Sequence, residues 1–403
     1  MKYVIVIPDG CADEPLEQLG GRTPLQAASL PNIDRIVRTG VIGQSNNVPK
    51  PLTPASDVAT LSLFGYDPLL VYTGRAPLET VAMGLKLGSA DWAIRCNLVT
   101  VQGGLMNDFT AGHINNEDGA RLMASIQEHL GGPAPGGKLE FYPGVQYRNI
   151  LLYRAGDKPA PFSKETKTQP PHDIPDKPIN DFLPKGPGSE LLVDLMKRSV
   201  PVFADHPVNR ERIARSDKPA SQIWLWGQGR APSVEPFEKL YGKRGAIISA
   251  VDLVRGTGML IGWQRVDSPG ATGYLDTDYA GKGRTAVEAL KSHDLVCVHV
   301  EAPDEASHEG RVGAKIDALE MIDKKIVGPL LEELPKYGEY RILISPDHRT
   351  TIRTRAHAYG EVPFAIAGTG IEPLGLAQYD EPTAASSSLS FTLGWQLMKW
   401  FLG

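Results

Sequence analysis

Short, unbroken apolar runs punctuate this chain, and each ends abruptly at a turn. Residues 3–7 (YVIVI) are β-branched and aromatic and stop at Pro8-Asp9-Gly10, the pattern of a strand buried on both faces. Leu295–Val300 (LVCVHV) repeats it and runs into Glu301-Ala302-Pro303-Asp304. Residues 341–344 (RILI) do so again before Ser345-Pro346-Asp347-His348, and residues 364–367 form a fourth candidate strand. Helical spacing and helix-opening residues predict helices over 32–38, 56–64 and 315–327. Together these predict an α/β protein, a mainly parallel sheet flanked by helices, with its site beyond the carboxyl ends of the strands.

The middle of the chain breaks this rhythm. Residues 91–234 carry Pro-rich connections (131–137, 159–171, 184–187) and no comparable apolar run ending in an acid. This predicts a smaller α/β cap domain, inserted into a first domain made of residues 1–90 and 235–403.

Composition narrows the class. Hydrophobic residues are 41% and charged residues 22% of 403, an ordinary globular mix that excludes wholesale disorder. The formal charge of −5 argues against nucleic acid as the main partner. No apolar run approaches the roughly 18 residues that cross a bilayer, and the first is too short for a signal peptide, so a cytoplasmic protein with no membrane partner is expected. Three scattered cysteines, Cys11, Cys96 and Cys297, make neither a disulfide framework nor a cysteine zinc site. Oligomeric state is not legible.

Seven residues at strand ends or helix starts are metal-ligand types: Asp9, Ser56, Asp304, His308, Asp347, His348 and His357. Asp304 and His308 are four apart, so on a helix they point the same way. Asp347 and His348 are adjacent after a strand, where a loop lets them face two ions. Carboxylates and imidazoles together suit Mn²⁺ or Zn²⁺, whereas Mg²⁺ favours oxygen ligands. Each residue alone has an ordinary explanation. Asp before Gly is a turn residue, Ser-Asp at a helix start is a cap, and DxxxH is an exposed helical pair. The recurrence of acids and imidazoles after buried strands, in a chain with nine His, is what those explanations leave out. Spacing alone leaves a binuclear metal site and the structural explanations in balance.

The segments VIPDGCAD (6–13), TPASDVATLSLFGYDP (53–68), EAPDEASHEG (301–310), SPDHRT (345–350) and RAHAYGEVPF (355–364) resemble motifs of the alkaline phosphatase superfamily. More specifically, the chain resembles the archaeal-type cofactor-independent phosphoglycerate mutases. YTGRAPLE (72–79), RCNLVTV (95–101), DFTAGHI (108–114) and PPHDIPDKP (170–178) extend the likeness along most of its length. DHPVNR (205–210) is shared with a bacterial sub-branch that has also been proposed to act as a homoserine kinase.

The resemblance implies that Ser56 is the nucleophile. It also implies that Asp9, Ser56, Asp347 and His348 hold one divalent ion and that Asp304, His308 and His357 hold the other. Mn²⁺ is the first expectation, with Mg²⁺, Co²⁺ or Zn²⁺ as alternatives. A serine hydroxyl, poorly nucleophilic at neutral pH, is activated when a cation favours its alkoxide. The reaction implied is interconversion of 3- and 2-phosphoglycerate through phosphoserine, with a small phosphorylated metabolite as the partner. The alternatives are a related phosphotransferase with another acceptor, homoserine among them, and a metal-dependent phosphatase. The insert is expected to close over the site and grip glycerate through Arg75, Arg95, His113, Arg148, His172 and Arg210, guanidinium forks being suited to carboxylate and phosphate. Where longer bacterial mutases carry a lysine near the metals, this chain has Leu253, with Arg255 and Lys282 as candidates to supply the charge.

Overall fold

The apolar run at the N-terminus is the centre of a sheet. In the computed structural model, which describes residues 1–403, Lys2–Pro8 lies between Leu295–Val300 and Tyr340–Ile344 and runs parallel to both. Gly245–Ile248 and Gln264–Arg265 extend the parallel set beyond Leu295–Val300. On the other side come Val362–Gly368, Val41–Ser45 and Ser390–Phe391, completing eight strands. Val4, Val6, Val296, Val298 and Ile342 point to one face, where Ile33, Ile36 and Val37 of the helix Pro31–Arg38 pack against them. Ile5, Ile7, Leu295, Cys297 and Leu343 point to the other, under Phe64, Trp263 and Phe401. A sheet covered on both faces explains why its strands read as continuous rather than alternating apolar runs.

The expected helices are observed as Pro31–Arg38, Ser56–Leu63 and Val312–Ile322, the last continuing through a π-helical turn, Asp323–Val327. The fourth predicted strand, Val362–Gly368, runs antiparallel to both neighbours. Its connection from Tyr340–Ile344 contains a small hairpin, Arg349–Thr351 with Ala356–Ala358, and no crossover helix to return the chain in parallel.

The chain divides into two units, residues 1–72 with 234–403, and residues 73–233. The first boundary falls at 72/73 rather than 90/91 because the helix Arg75–Ala82 belongs to the second unit. Its Ala76 is buried in one cluster with Ala93, Ile150 and Leu152. The second unit is a six-stranded antiparallel sheet built on Trp92–Gln102, with the helices Asn116–Leu130 and Ser189–Ala204. It does contain long buried runs, Ile150–Tyr153 and Ile223–Trp226 among them, but none ends in an acid.

Candidate active site

All seven sequence candidates for the metal site lie in the first unit, and the structure brings them together. Lys2–Pro8 delivers Asp9, and Gly10 then turns at φ +58°. A Cβ at Gly10 would fall against Asp304 Oδ1 and 2.5 Å from Thr350 Oγ1, so glycine is required there for conformation and for the approach of Asp304. Leu295–Val300 feeds the helix Ala302–His308, which turns Asp304 and His308 to one side, Oδ2 to Nε2 3.0 Å. Tyr340–Ile344 leads to Asp347 and His348. The hairpin pairs His357 with Thr350 and returns it to the same place.

Ser56 opens the helix Ser56–Leu63, but it is not a cap. Ala55 holds the N-cap position, and the Ser56 hydroxyl lies 3.2 Å from His348 Nε2. Asp57 is fully buried and accepts from Tyr72 Oη at 2.7 Å.

Two groups of ligand atoms hold these candidates, and a third joins Asp9 to His299 and Glu301. Asp9, Asp347 and His348 form one, with His348 Nε2 3.5 Å from Asp9 Oδ1 and 3.6 Å from Asp347 Oδ2. Asp304, His348 and His357 form the other, joined by His308, whose Nε2 is 3.1 Å from that of His357. Asp9 Oδ1 and Asp347 Oδ2 are buried without any hydrogen-bond partner. Orphaned carboxylate oxygens in a dry pocket are costly unless a cation meets them. The residues present therefore fit two divalent ions.

The electrostatics agree. Burial, then the nearby Asp347, Glu301 and Asp304, push the Asp9 carboxyl well above its ordinary range. Glu301 is pushed up to about 8, first by burial and then by Asp304. Burial also acts on Asp304, but the His308 imidazole at 3.0 Å, with His357 and His348 close by, outweighs it and holds that carboxyl well below the usual range. So many acids sharing one buried pocket ionise together only with positive charge among them.

Three further residues escaped the sequence reading. His299 is fully buried, with Nε2 2.7 Å from Asp9 Oδ2. The one His inside the otherwise apolar LVCVHV was the available signal. Glu301 Oε2, another buried orphan, lies 3.6 Å from the same Nε2. Thr350 Oγ1 bonds Asp304 Oδ1 and sits 3.2 Å from His348 Nδ1. Of the candidates for the missing lysine charge, Lys282 is the buried one, donating to His299 O at 3.0 Å, with burial lowering it to about 8.

The six substrate candidates all lie in the second unit. Arg95, buried, stacks its guanidinium 4.1 Å from the Trp226 ring centroid and gives Nε to Glu79 at 2.9 Å. His172 packs edge-on against Trp226 and Phe109, and Arg148 lies over Tyr147, itself against Phe109. Burial lowers the His172 pKa; Asp173 opposes this, and Arg95 and Arg75 reinforce it. Arg210 instead donates to Asp205 O, and His113 joins the cluster through no hydrogen bond or ring contact.

The profile of the 2,3-bisphosphoglycerate-independent phosphoglycerate mutases matches residues 38–209. A mutase of that description from Methanothrix thermoacetophila is 49% identical over 400 residues, 99% of each chain. One from Methanosarcina acetivorans is 45% identical over 96% of each chain. The cofactor-independent phosphoglycerate mutase from Thermoplasma acidophilum superposes with a TM-score of 0.68 at 25% identity, covering 100% of both chains. A Pyrococcus horikoshii structure reaches 0.82 at 26%, covering 100% of this chain and 96% of that one. With relatives this similar over nearly its whole length, the chain belongs to the 2,3-bisphosphoglycerate-independent phosphoglycerate mutase family, isomerases that act through a phosphorylated intermediate.

Proposed function

We propose that Ser56 is the group that becomes phosphorylated as 3- and 2-phosphoglycerate interconvert. In this reading Asp9, Ser56, Asp347 and His348 hold one divalent cation, and Asp304, His308 and His357 hold a second. The mixed carboxylate–imidazole donor set favours Mn²⁺. The observation that carries the reading is the pair of orphaned oxygens, Asp9 Oδ1 and Asp347 Oδ2, beside His348 and the Ser56 hydroxyl that lies 3.2 Å from its Nε2. When bound, the cations supply Lewis-acid stabilisation of the serine alkoxide and of the phosphoryl charge.

The chain's own groups do the rest. Ser56 Oγ forms a bond to phosphorus as the bond to the glycerate oxygen breaks. The proton lost by the serine is balanced by the one gained by the leaving hydroxyl. Reoriented glycerate then attacks through its other hydroxyl, and the P–Oγ bond breaks. The positive N-terminal end of the helix Ser56–Leu63 adds to the stabilisation of negative charge on Ser56.

Glycerate must stay bound between the two transfers, and we assign that task to Arg75, Arg95, Arg148 and His172. Arg95 has its Nε occupied and its face stacked, which leaves the two terminal nitrogens for a carboxylate. His113 and Arg210, outside the cluster, receive no role.

An enolase-coupled assay with Mn²⁺, without 2,3-bisphosphoglycerate and with and without chelator, tests the reading. Turnover that chelator abolishes supports it. Phosphate release or transfer to homoserine in place of turnover would overturn it.

A further inference from the structure

We propose that His299 is a positioning residue for the first cation site: it clamps one oxygen of Asp9 so that the other is presented to the cation. The inference rests on the two-cation reading above. In the strand Leu295–Val300, His299 follows Leu295 and Cys297 on one face, and its register partner is Ile7. An apolar side chain would continue that face, but an imidazole stands there, buried completely.

The hydrogen bonds fix what the ring does. Ser249 Oγ accepts from Val251 N at 3.0 Å, so its own hydrogen is available to His299 Nδ1, 3.1 Å away. An Nδ1 that accepts leaves the proton on Nε2, which donates to Asp9 Oδ2 at 2.7 Å. Glu301 Oε2, at 3.6 Å from the same nitrogen, is out of hydrogen-bond range, so the single Nε2–H belongs to Asp9. Lys282 Nζ, also fully buried, holds the backbone carbonyl of His299 at 3.0 Å.

The two oxygens of Asp9 are thereby made different. Oδ2 is satisfied by the imidazole, and Oδ1 is buried, unpartnered and 3.5 Å from His348 Nε2. Without His299, Oδ2 becomes a second buried oxygen of Asp9 without the donor that now holds it. Asp9 is then no longer held in one orientation, and the presentation of Oδ1 to the cation is lost. The second site draws its ligands from Asp304, His308 and His357, none of which His299 hydrogen-bonds.

Calorimetric titration of the metal-free full chain with Mn²⁺ reads the effect without reference to activity. Loss of an outer-layer partner weakens metal binding by about 10–100-fold. His299→Ala is expected to weaken one of two sites by that amount and to leave the other nearly unchanged. His299→Gln, whose amide also donates at that reach, restores most of the lost affinity, and Ser249→Ala weakens the same site by less. A general packing defect would lower both affinities together. If His299→Ala does not fold, the other two variants decide. Equal loss at both sites, or no loss at either, overturns the proposal. Failure of the native chain to bind Mn²⁺ overturns the two-cation reading, and this inference with it.

Discussion

The Nε2 atoms of His308 and His357 face each other across 3.1 Å, and each ring's Nδ1 is tied to a backbone carbonyl, that of Arg355 at 2.9 Å and that of Pro54 at 3.1 Å. Carbonyls only accept, so both Nδ1 atoms carry protons and both Nε2 lone pairs converge beside Asp304. In cation-free protein a proton takes that point: the hydrogen bond to Asp304 raises His308 to about 9.

It follows that loading the site displaces a proton below pH 9. Mn²⁺ binding at pH 7.5 should release at least one proton per chain, measurable by calorimetry in buffers of different ionisation enthalpy. Because the proton competes only below the raised pKa, affinity should climb with pH towards 9 and then level. Proton-neutral binding would contradict this protonation scheme.

Ser56→Ala should lower turnover at least about 10³-fold, since no alcohol remains to take the phosphoryl group. Three of four proposed ligands to its cation are untouched, so two ions per chain should still bind. Mass spectrometry of the native protein quenched with substrate should find a phosphorylated peptide containing Ser56, and the variant should lack it. Phosphate on another residue would remove Ser56 from its role.

Gly10→Ala places a side chain where φ is +58° and Asp304 and Thr350 already stand. The backbone conformation alone costs about 1–2 kcal/mol, and the contact with Asp304 adds to it. Denaturant unfolding should show the loss, and Mn²⁺ affinity should fall because Asp304 must move. A variant as stable and as metal-competent as the native chain would show that this turn is not held as described.

Arg95→Ala should raise KM for phosphoglycerate by about 10–100-fold, in line with charge-assisted hydrogen bonds of about 1.5–3 kcal/mol. Arg95→Lys should recover little, because an ammonium neither forks nor stacks on Trp226 in the same way. An unchanged KM in both variants would take Arg95 out of substrate binding.

The position of the candidate ligands was legible because strands covered on both faces are forced into runs such as YVIVI and RILI, and their ends mark where these side chains gather. The direction of Val362–Gly368 was not legible, since an apolar run reads the same either way. The insert's buried strands escaped because they end in no acid. His299 and Glu301 escaped for another reason: within an apolar strand or an acidic loop, a residue that supports a ligand has no spacing signature of its own. Arg210 looks like an anion binder in sequence, yet the structure commits it to the carbonyl of Asp205.

The central claim is that distant segments gather two cations around one serine hydroxyl. Anomalous diffraction from crystals grown with Mn²⁺ tests it most directly. Two peaks per chain are predicted, one touching Asp9, Ser56, Asp347 and His348 and the other touching Asp304, His308 and His357. A single peak, or two peaks with neither in contact with Ser56 Oγ, would contradict the account.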